Sequence, residues 1–289
     1  MKYPHTIVGN LDLVKISYDN FLVRKNRTVR IWTPTSYSEE EEPFDVIYMF
    51  DGSNLFDEAT AFVHKEWQID ETIESLKGEI RPCVVVGIDA SSDRISELFP
   101  RFSKKAIDHF AYKSDFMFDY LVNYVIPYVE EHYNVKKDRL HRSIGGSSMG
   151  GLMALEAAIS YNEIFSKVYA FSPAFPIYRY GYTEMKGGTG GTNNDEAYEF
   201  VIKHLTSTKA LNKTKIALCS GGIGYEKNYY RYVKNIKPRL VELGYDEDKI
   251  LILQDKKYNH CEDQWAHFFI ESYKFLQGWY LPDESRVFQ

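Results

Sequence analysis

The sequence is poor in cysteine. Three residues in 289, Cys83, Cys219 and Cys261, make an odd number with no C-x-x-C spacing. That argues against a disulfide framework or a zinc site and fits a reducing compartment. It also lacks a basic block. Lys and Arg total 35 against 41 acidic residues, a formal net charge of -6, so nucleic acid is not expected as a partner. The stretch MKYPHTIVGNLDLVKIS carries no long apolar run. Neither a signal peptide nor a membrane span is expected, and a cytoplasmic location follows as an expectation. No metal-ligand cluster or phosphate loop stands out. GGTGG at 187–191 is too far from a strand–helix junction to cradle a phosphate, so no cofactor and no metal are expected. No repeat and no linker divide the chain, which reads as one domain over residues 1–289.

What is abundant is apolar and aromatic. The hydrophobic fraction is 44%, with 23 Tyr and 18 Phe, enough for a sizeable core; some tyrosines could line a pocket with the polar tip free. DVIYMF (45–50), CVVVGID (83–89), KVYAFS (167–172), KIALCS (215–220) and KILIL (249–253) are continuous apolar runs. Runs of this kind suit strands covered on both faces, as in a parallel sheet. Helical patterns lie between them: 67–76, 114–133 with a kink expected at Pro127, 151–160, 229–244 and 262–280. Strands alternating with helices predict βαβ units and a doubly wound sheet. LDLVKIS (11–17) and TVRIWTP (28–34) alternate instead and read as an antiparallel edge pair. The acidic run Glu39–Glu42 reads as a solvated loop. Two stretches, 90–113 and 173–194, read as long loops, the second rich in tyrosine. Loops of that length without structure are usually functional or mobile.

LHRSIGGSSMGG is a strand entering a tight turn and then a helix. Within it Gly146-Ser147-Ser148-Met149-Gly150 fits G-x-S-x-G, the strained turn that lifts a nucleophilic serine above an α/β-hydrolase sheet. Chance alone gives this pattern about 0.1 times in a chain of this length, and the strand–turn–helix context favours Ser148 as nucleophile over its neighbour Ser147. A serine hydroxyl needs a base held by an acid, and in this fold the acid and then the histidine follow the serine along the chain. His204 and His267 fall in helical patterns, whereas His260 lies in the polar loop QDKKYNHCEDQW, from which an imidazole can reach over the sheet edge; His260 is the expected base. Glu226 is the only carboxylate in GGIGYEKN, directly after KIALCS, and is the favoured acid, with Asp195, Glu196 and Asp255 as rivals. It can also serve as a first-turn acid that favours a helix dipole. An oxyanion hole needs two backbone N–H groups. Met149 is one candidate; Ser53, in FDGSNLFDE, is the other, with Gly52 letting the backbone turn inward. Asp51, Asn54 and Asp57 read as braces of that loop. Asn54, Tyr178 and Tyr180 are candidate substrate contacts, and Tyr182 lies nearby in the same loop.

The chain resembles the "Putative esterase" family of α/β hydrolases, which includes esterase D, feruloyl and acetyl-xylan esterases, trilactone esterases and mycolyltransferases. The resemblance rests on YMFDGSNLFDE, RPCVVVGIDASSDRISELFP, the long piece from YVIPYVEEHY through AFSPAF, and NHCEDQW, in family order from about residue 28 to residue 276. It implies an α/β-hydrolase fold: a mostly parallel sheet with antiparallel N-terminal strands and no large separate cap. It also implies an acyl-enzyme on Ser148, with His260 as base and an oxyanion amide at Ser53. The expected partner is a small-molecule ester. Acyl transfer to an alcohol, an inactive binding module and a homo-oligomer stay open. The family often carries an acid in a D-x-G pattern at the end of its seventh strand; here that place reads Ser220-Gly221-Gly222.

Overall fold

The computed structural model describes residues 3–20, 23–99, 113–175, 196–207, 209 and 211–278. Its frame is one eight-stranded sheet: β1 (Asn10–Asn20), β2 (Val23–Thr33), β3 (Val46–Phe50), β4 (Val84–Ile88), β5 (Arg142–Ser147), β6 (Lys167–Phe171), β7 (Lys215–Gly221) and β8 (Ile250–Asp255). The order is β1-β2-β4-β3-β5-β6-β7-β8. β1 and β2 pair antiparallel, β2 joins β4 antiparallel, and every later pairing is parallel. The expected edge pair is therefore present, and longer than its alternating stretches.

The apolar runs are continuous because both faces of the sheet are covered. Side chains of successive strand residues point to opposite faces. Val46, Tyr48, Phe50, Val168 and Ala170 enter one core; Ile47, Met49, Tyr169 and Phe171 enter the other. Helix α1 (Ile69–Leu76) and the last helix, α8 (Glu262–Gln277), cover the second face through Ile73, Phe268, Phe269 and Tyr273. The first face is covered by α5 (Met149–Ser160), α6 (Glu196–Leu205) and α7 (Glu226–Glu242), through Leu152, Val201 and Ile236.

In place of one continuous α-helix over 114–133 there are two, with Pro127 close to their junction. α3 (Ser114–Tyr120) passes into a π turn at Leu121–Val125 and resumes as α4 (Ile126–His132). Pro127 falls in the first turn of α4, directly after the π turn, and prolines and π turns are both places where a helix departs from regular i→i−4 bonding. The 90–113 stretch is not wholly loop: α2 (Arg94–Glu97) forms inside it, and 100–112 lie outside the described residues. The 173–194 loop lies outside them from residue 176 on, including Tyr178, Tyr180, Tyr182 and GGTGG. Helix α6 has no counterpart among the expected helices. The 229–244 pattern begins three residues earlier than expected, at Glu226. None of the helices in the described residues is long and apolar enough to cross a membrane.

The amino-terminal segment is clipped onto buried acids beside α1. Val8 N–H donates to Asp70 Oδ2 at 2.8 Å, the Thr6 hydroxyl donates to Glu66, and Thr6 N–H donates to Asp57 at 3.4 Å. Burial pushes the Glu66 carboxyl up to about 7 and that of Asp70 up to about 9. Both values lie above the ordinary carboxylate range, so the folded state holds protons that the unfolded chain has released. Their contribution to stability is complete below the ordinary carboxylate pKa and is lost as pH rises through 7 and 9. The thermal midpoint should therefore decline between pH 5 and pH 9. In the Glu66→Gln/Asp70→Asn variant, whose amides still accept the same N–H and O–H bonds, that decline should shrink. Calorimetry at five pH values checks this, and an unchanged slope would assign the decline to other groups.

Candidate active site

The carboxyl edge of the sheet gathers three loops. At the end of β5 the chain reaches Ser148 with φ 56° and ψ -117°, a conformation that costs a non-glycine residue ~1–3 kcal/mol. Three backbone bonds hold it there. Ser148 N–H donates to Phe171 O at 2.8 Å, and Ser148 O accepts from Ala174 N–H at 3.0 Å and from Leu152 N–H at 3.1 Å. The glycines around it are explained by contact. A Cβ on Gly146 would lie 2.7 Å from the Gly150 carbonyl carbon, and one on Gly151 would lie 2.7 Å from Phe171 O. Strand end and helix start touch backbone to backbone. Ser147, the fallback, is buried as the last residue of β5, whereas Ser148 is half-buried at the turn.

The second loop follows β8 and brings His260 to the edge. His260 Nδ1 lies 2.7 Å from Glu226 Oε1. The ring is set edge-on to Trp265, at 89° with centroids 5.1 Å apart. Glu226 is fully buried and receives two further donors: Gly221 N–H on Oε2 at 3.0 Å and the Gln264 amide on Oε1 at 3.1 Å. Glu226 is the first residue of α7, where an acid favours the helix dipole, and its carboxylate meets the His260 ring. The unusual Ser220-Gly221-Gly222 has a physical reason. A Cβ at Gly221 would lie 2.2 Å from Tyr258 O and 2.2 Å from Gln264 Oε1. No side chain fits at Gly221; the acid's own place in D-x-G is held by Ser220, whose Oγ accepts from the Gln254 amide at 2.8 Å, and the carboxylate that meets His260 comes from the next helix.

Among the described residues, the rival histidines and Asp255 engage other partners. His204 Nδ1 bonds Phe200 O at 2.8 Å, and His267 is exposed on α8, stacked on Tyr258. Asp255 caps its own turn, accepting from Lys257 N–H at 2.9 Å. Glu196 opens α6, and Asp195 lies outside the described residues.

The third loop follows β3. Here Asp51, not Gly52, is the left-handed residue, with φ 60°. Gly52 serves close approach instead: a Cβ there would stand 2.5 Å from the Gly87 carbonyl carbon of β4. The 3₁₀ turn Gly52–Asn54 carries Ser53. Neither the Ser53 nor the Met149 N–H has a hydrogen-bond acceptor among the described residues. Asn54 acts as a brace, its side-chain oxygen accepting Phe62 N–H at 2.9 Å. Asp57 likewise accepts from Ala59 N–H. Asp51 is braced by Arg94 of α2 through two bonds of 2.6 and 2.7 Å. Glu262, at the start of α8, is raised above its ordinary pKa by burial, with His260 acting against that rise.

Sequence reasoning missed the parts that join these loops. Ser172, just past β6, accepts from the Gln264 amide at 2.6 Å and from Trp265 Nε1 at 3.2 Å. The segment Phe171–Ala174 thus bonds Ser148 on one side and, through Gln264, the Glu226–His260 pair on the other. Gln264 and Trp265 stand in the quoted NHCEDQW; their placement on the first turn of a helix next to the histidine was the available signal. The Arg94–Asp51 pair had none, because the residues are 43 apart in sequence. Among the described residues one group of carboxylates, Glu66, Asp70 and Glu71, has metal-ligand spacing; burial keeps Glu66 and Asp70 prone to protonation.

Three comparisons bear on this arrangement. The model of the family described as "Putative esterase" matches residues 22–275. Uncharacterized protein YbbA of Bacillus subtilis is 24% identical over 260 residues, covering 88% of this chain and 93% of that protein. The iron(III) salmochelin esterase of Escherichia coli is 23% identical over 257 residues, covering 88% of this chain and 55% of that protein. Among solved structures, the BES protein from Bacillus cereus superposes with a TM-score of 0.69 at 18% identity, covering 96% of this chain and 98% of that one; this likeness is one of fold.

Crowding at Gly221 gives a direct test. Gly221→Ala should lower the thermal midpoint by several degrees, consistent with a packing clash of ~1–3 kcal/mol. Gly78→Ala, where a Cβ meets nothing within 4 Å, should leave it unchanged. Equal effects of the two, measured by differential scanning fluorimetry, would refute the account of the strand end.

Proposed function

The chain belongs to the "Putative esterase" family and is an esterase of the α/β-hydrolase fold; from that premise we propose that it hydrolyses a small carboxylic ester through an acyl-enzyme on Ser148. The observation that carries the reading is the 2.7 Å contact between His260 Nδ1 and the buried Glu226 carboxylate, on the same sheet edge as the strained turn at Ser148. An acid on Nδ1 fixes the tautomer that leaves Nε2 free to take a proton.

In this reading Ser148 Oγ attacks the ester carbonyl carbon while His260 Nε2 accepts its proton. The carbonyl oxygen becomes an oxyanion, and the Ser53 and Met149 N–H groups donate to it. Fixed donors of this kind lower the barrier because they are oriented before charge develops. The bond to the leaving alkoxide then breaks, and His260 returns the proton to it. Water repeats the sequence on the acyl-Ser148 ester, its proton passing to His260 and then back to Ser148 Oγ. Glu226 stabilises the imidazolium and keeps its own charge throughout. The 90–113 and 173–194 stretches follow strand ends, where ligands bind in doubly wound sheets. We assign to them the walls of the acyl or alcohol pocket, with Asn54, Tyr178 and Tyr180 as contacts.

Ser148→Ala should abolish hydrolysis of p-nitrophenyl acetate with the fold retained by circular dichroism. A fluorophosphonate should add its mass to the peptide holding residues 143–160. Glu226→Gln should slow turnover by up to about 10⁴-fold, and His260→Ala by at least about 10³-fold. Labelling at Ser147, or full activity in Ser148→Ala, would overturn the assignment. A panel of p-nitrophenyl, feruloyl and trilactone esters, run with and without an added alcohol, gives the acyl class and the acceptor.

A further inference from the structure

Outside the proposed triad, three carboxylates meet at the start of α1. Glu66 stands before the helix, and Asp70 and Glu71 lie in its first turn. Gln68, with φ 51°, turns the chain between them. Each residue offers a carboxylate oxygen, and these oxygens all lie within 4.8 Å of one another. The sequence EWQIDE shows no ligand motif; the turn at Gln68 brings the three acids together.

Acids in the first turn of a helix ordinarily serve its dipole, a role that an exposed carboxylate can fill. Asp70 has no exposure, and Glu66 is buried as well. In both, one oxygen is bonded and the other is not. Val8 N–H donates to Asp70 Oδ2, and the Thr6 hydroxyl donates to Glu66 Oε1. Asp70 Oδ1 and Glu66 Oε2 are buried with no hydrogen-bond partner among the described residues, and so is Glu71 Oε2. A buried carboxylate oxygen left unbonded is costly, and like charges this close oppose one another's ionisation. The bases nearest along the chain engage other acids: Lys65 lies 3.7 Å from Glu58, and His5 lies 2.7 Å from Asp57.

We propose that Glu66, Asp70 and Glu71 bind one hard divalent cation of calcium's size. Carboxylate oxygens select hard cations, and the three unbonded oxygens supply one ligand each. Ligands on opposite sides of a calcium ion, each ~2.4 Å from it, stand ~4.8 Å apart, so the cluster accommodates that ion. Magnesium demands shorter bonds of ~2.1 Å and gives up its waters reluctantly, which a buried site penalises. Glu66 also lines a cavity of about 280 Å³, together with Glu58, Thr72 and Asp263. The cavity gives the ion a way in and leaves room for waters to complete its coordination. Because Thr6 and Val8 bond the other oxygens of Glu66 and Asp70, the ion fixes the amino-terminal segment to α1.

The test is isothermal titration of the chelator-treated whole protein near pH 8, since carboxylate ligands must be deprotonated to bind. Calcium should bind one to one, and magnesium at least tenfold more weakly. Calcium should also raise the thermal midpoint, because it binds the folded chain. Glu71→Gln keeps the side chain's shape at a half-buried position and should weaken calcium at least tenfold. Asp70→Asn, whose amide oxygen still accepts Val8 N–H, is the variant to use if the first does not fold. The readout is metal binding, so its outcome is independent of the esterase reading. No calcium binding at millimolar concentration, equal binding in wild type and variant, or magnesium binding as tight as calcium would overturn the proposal.

Discussion

The buried carboxylate of Glu226 is the constraint on which the rest of the site depends. A carboxylate with no exposure is costly unless donors surround it. Three do: a strand-end amide, the Gln264 side chain and the His260 ring. Each comes from a different element, so the loop after β7, the first turn of α8 and the loop after β8 are fixed relative to one another by one group. Gln264 extends that constraint to Ser172, and the Phe171–Ala174 segment extends it to Ser148. Removing the acid would therefore disturb a chain of contacts as well as a catalytic partner, which is why the conservative change to Gln is the informative one.

Much of this was legible in the sequence. The sheet was, because a parallel strand buried on both faces is apolar along its length, as Val84–Ile88 and the Ile216–Cys219 run of β7 are. Ser148 was, because the glycines on both sides of it answer to a backbone contact that no other residue allows. The bounds of α7 were not. Glu226, Lys227 and Asn228 are polar and carry no apolar period, so the helix pattern was visible only from Tyr229. That hid the reason an acid outside the D-x-G position could still reach His260. Gln264 and Arg94 were missed for a different reason: their partners are far away in sequence, and pairwise hydrogen bonds leave no periodic trace.

The two edges of the sheet also differ in how they handle charge. At the carboxyl edge, Asp51 has Arg94 and Glu226 has His260, each in a bonded pair of opposite type. At the amino edge Lys167 and Lys215 open neighbouring strands in register, Asp45 pairs with Lys167, and carbonyl oxygens accept from Arg139 and Lys249. Both arrangements follow from parallel strands. Their ends are level, so one kind of residue recurring at the strand starts produces a charged rim, and loops leaving the strand ends converge over one point.

Backbone strain is distributed in the same uneven way. Positive φ in a non-glycine residue is uncommon, yet Asp51, Ser148 and Ser172 adopt it at φ 60°, 56° and 43°. They directly follow β3, β5 and β6, three adjacent strands. Each costs ~1–3 kcal/mol, and each is held by bonds reaching other segments: Arg94 to Asp51, the Phe171 carbonyl to Ser148, and Gln264 and Trp265 to Ser172. Strain of this size persists only where the surroundings over-determine it. At all three positions the side chain bonds a distant partner or stands at the proposed reaction centre, and glycine would remove it. His64, Gln68 and Asn212 also adopt positive φ, so it is the gathering of three such residues at adjacent strand ends, rather than positive φ itself, that distinguishes this edge of the sheet.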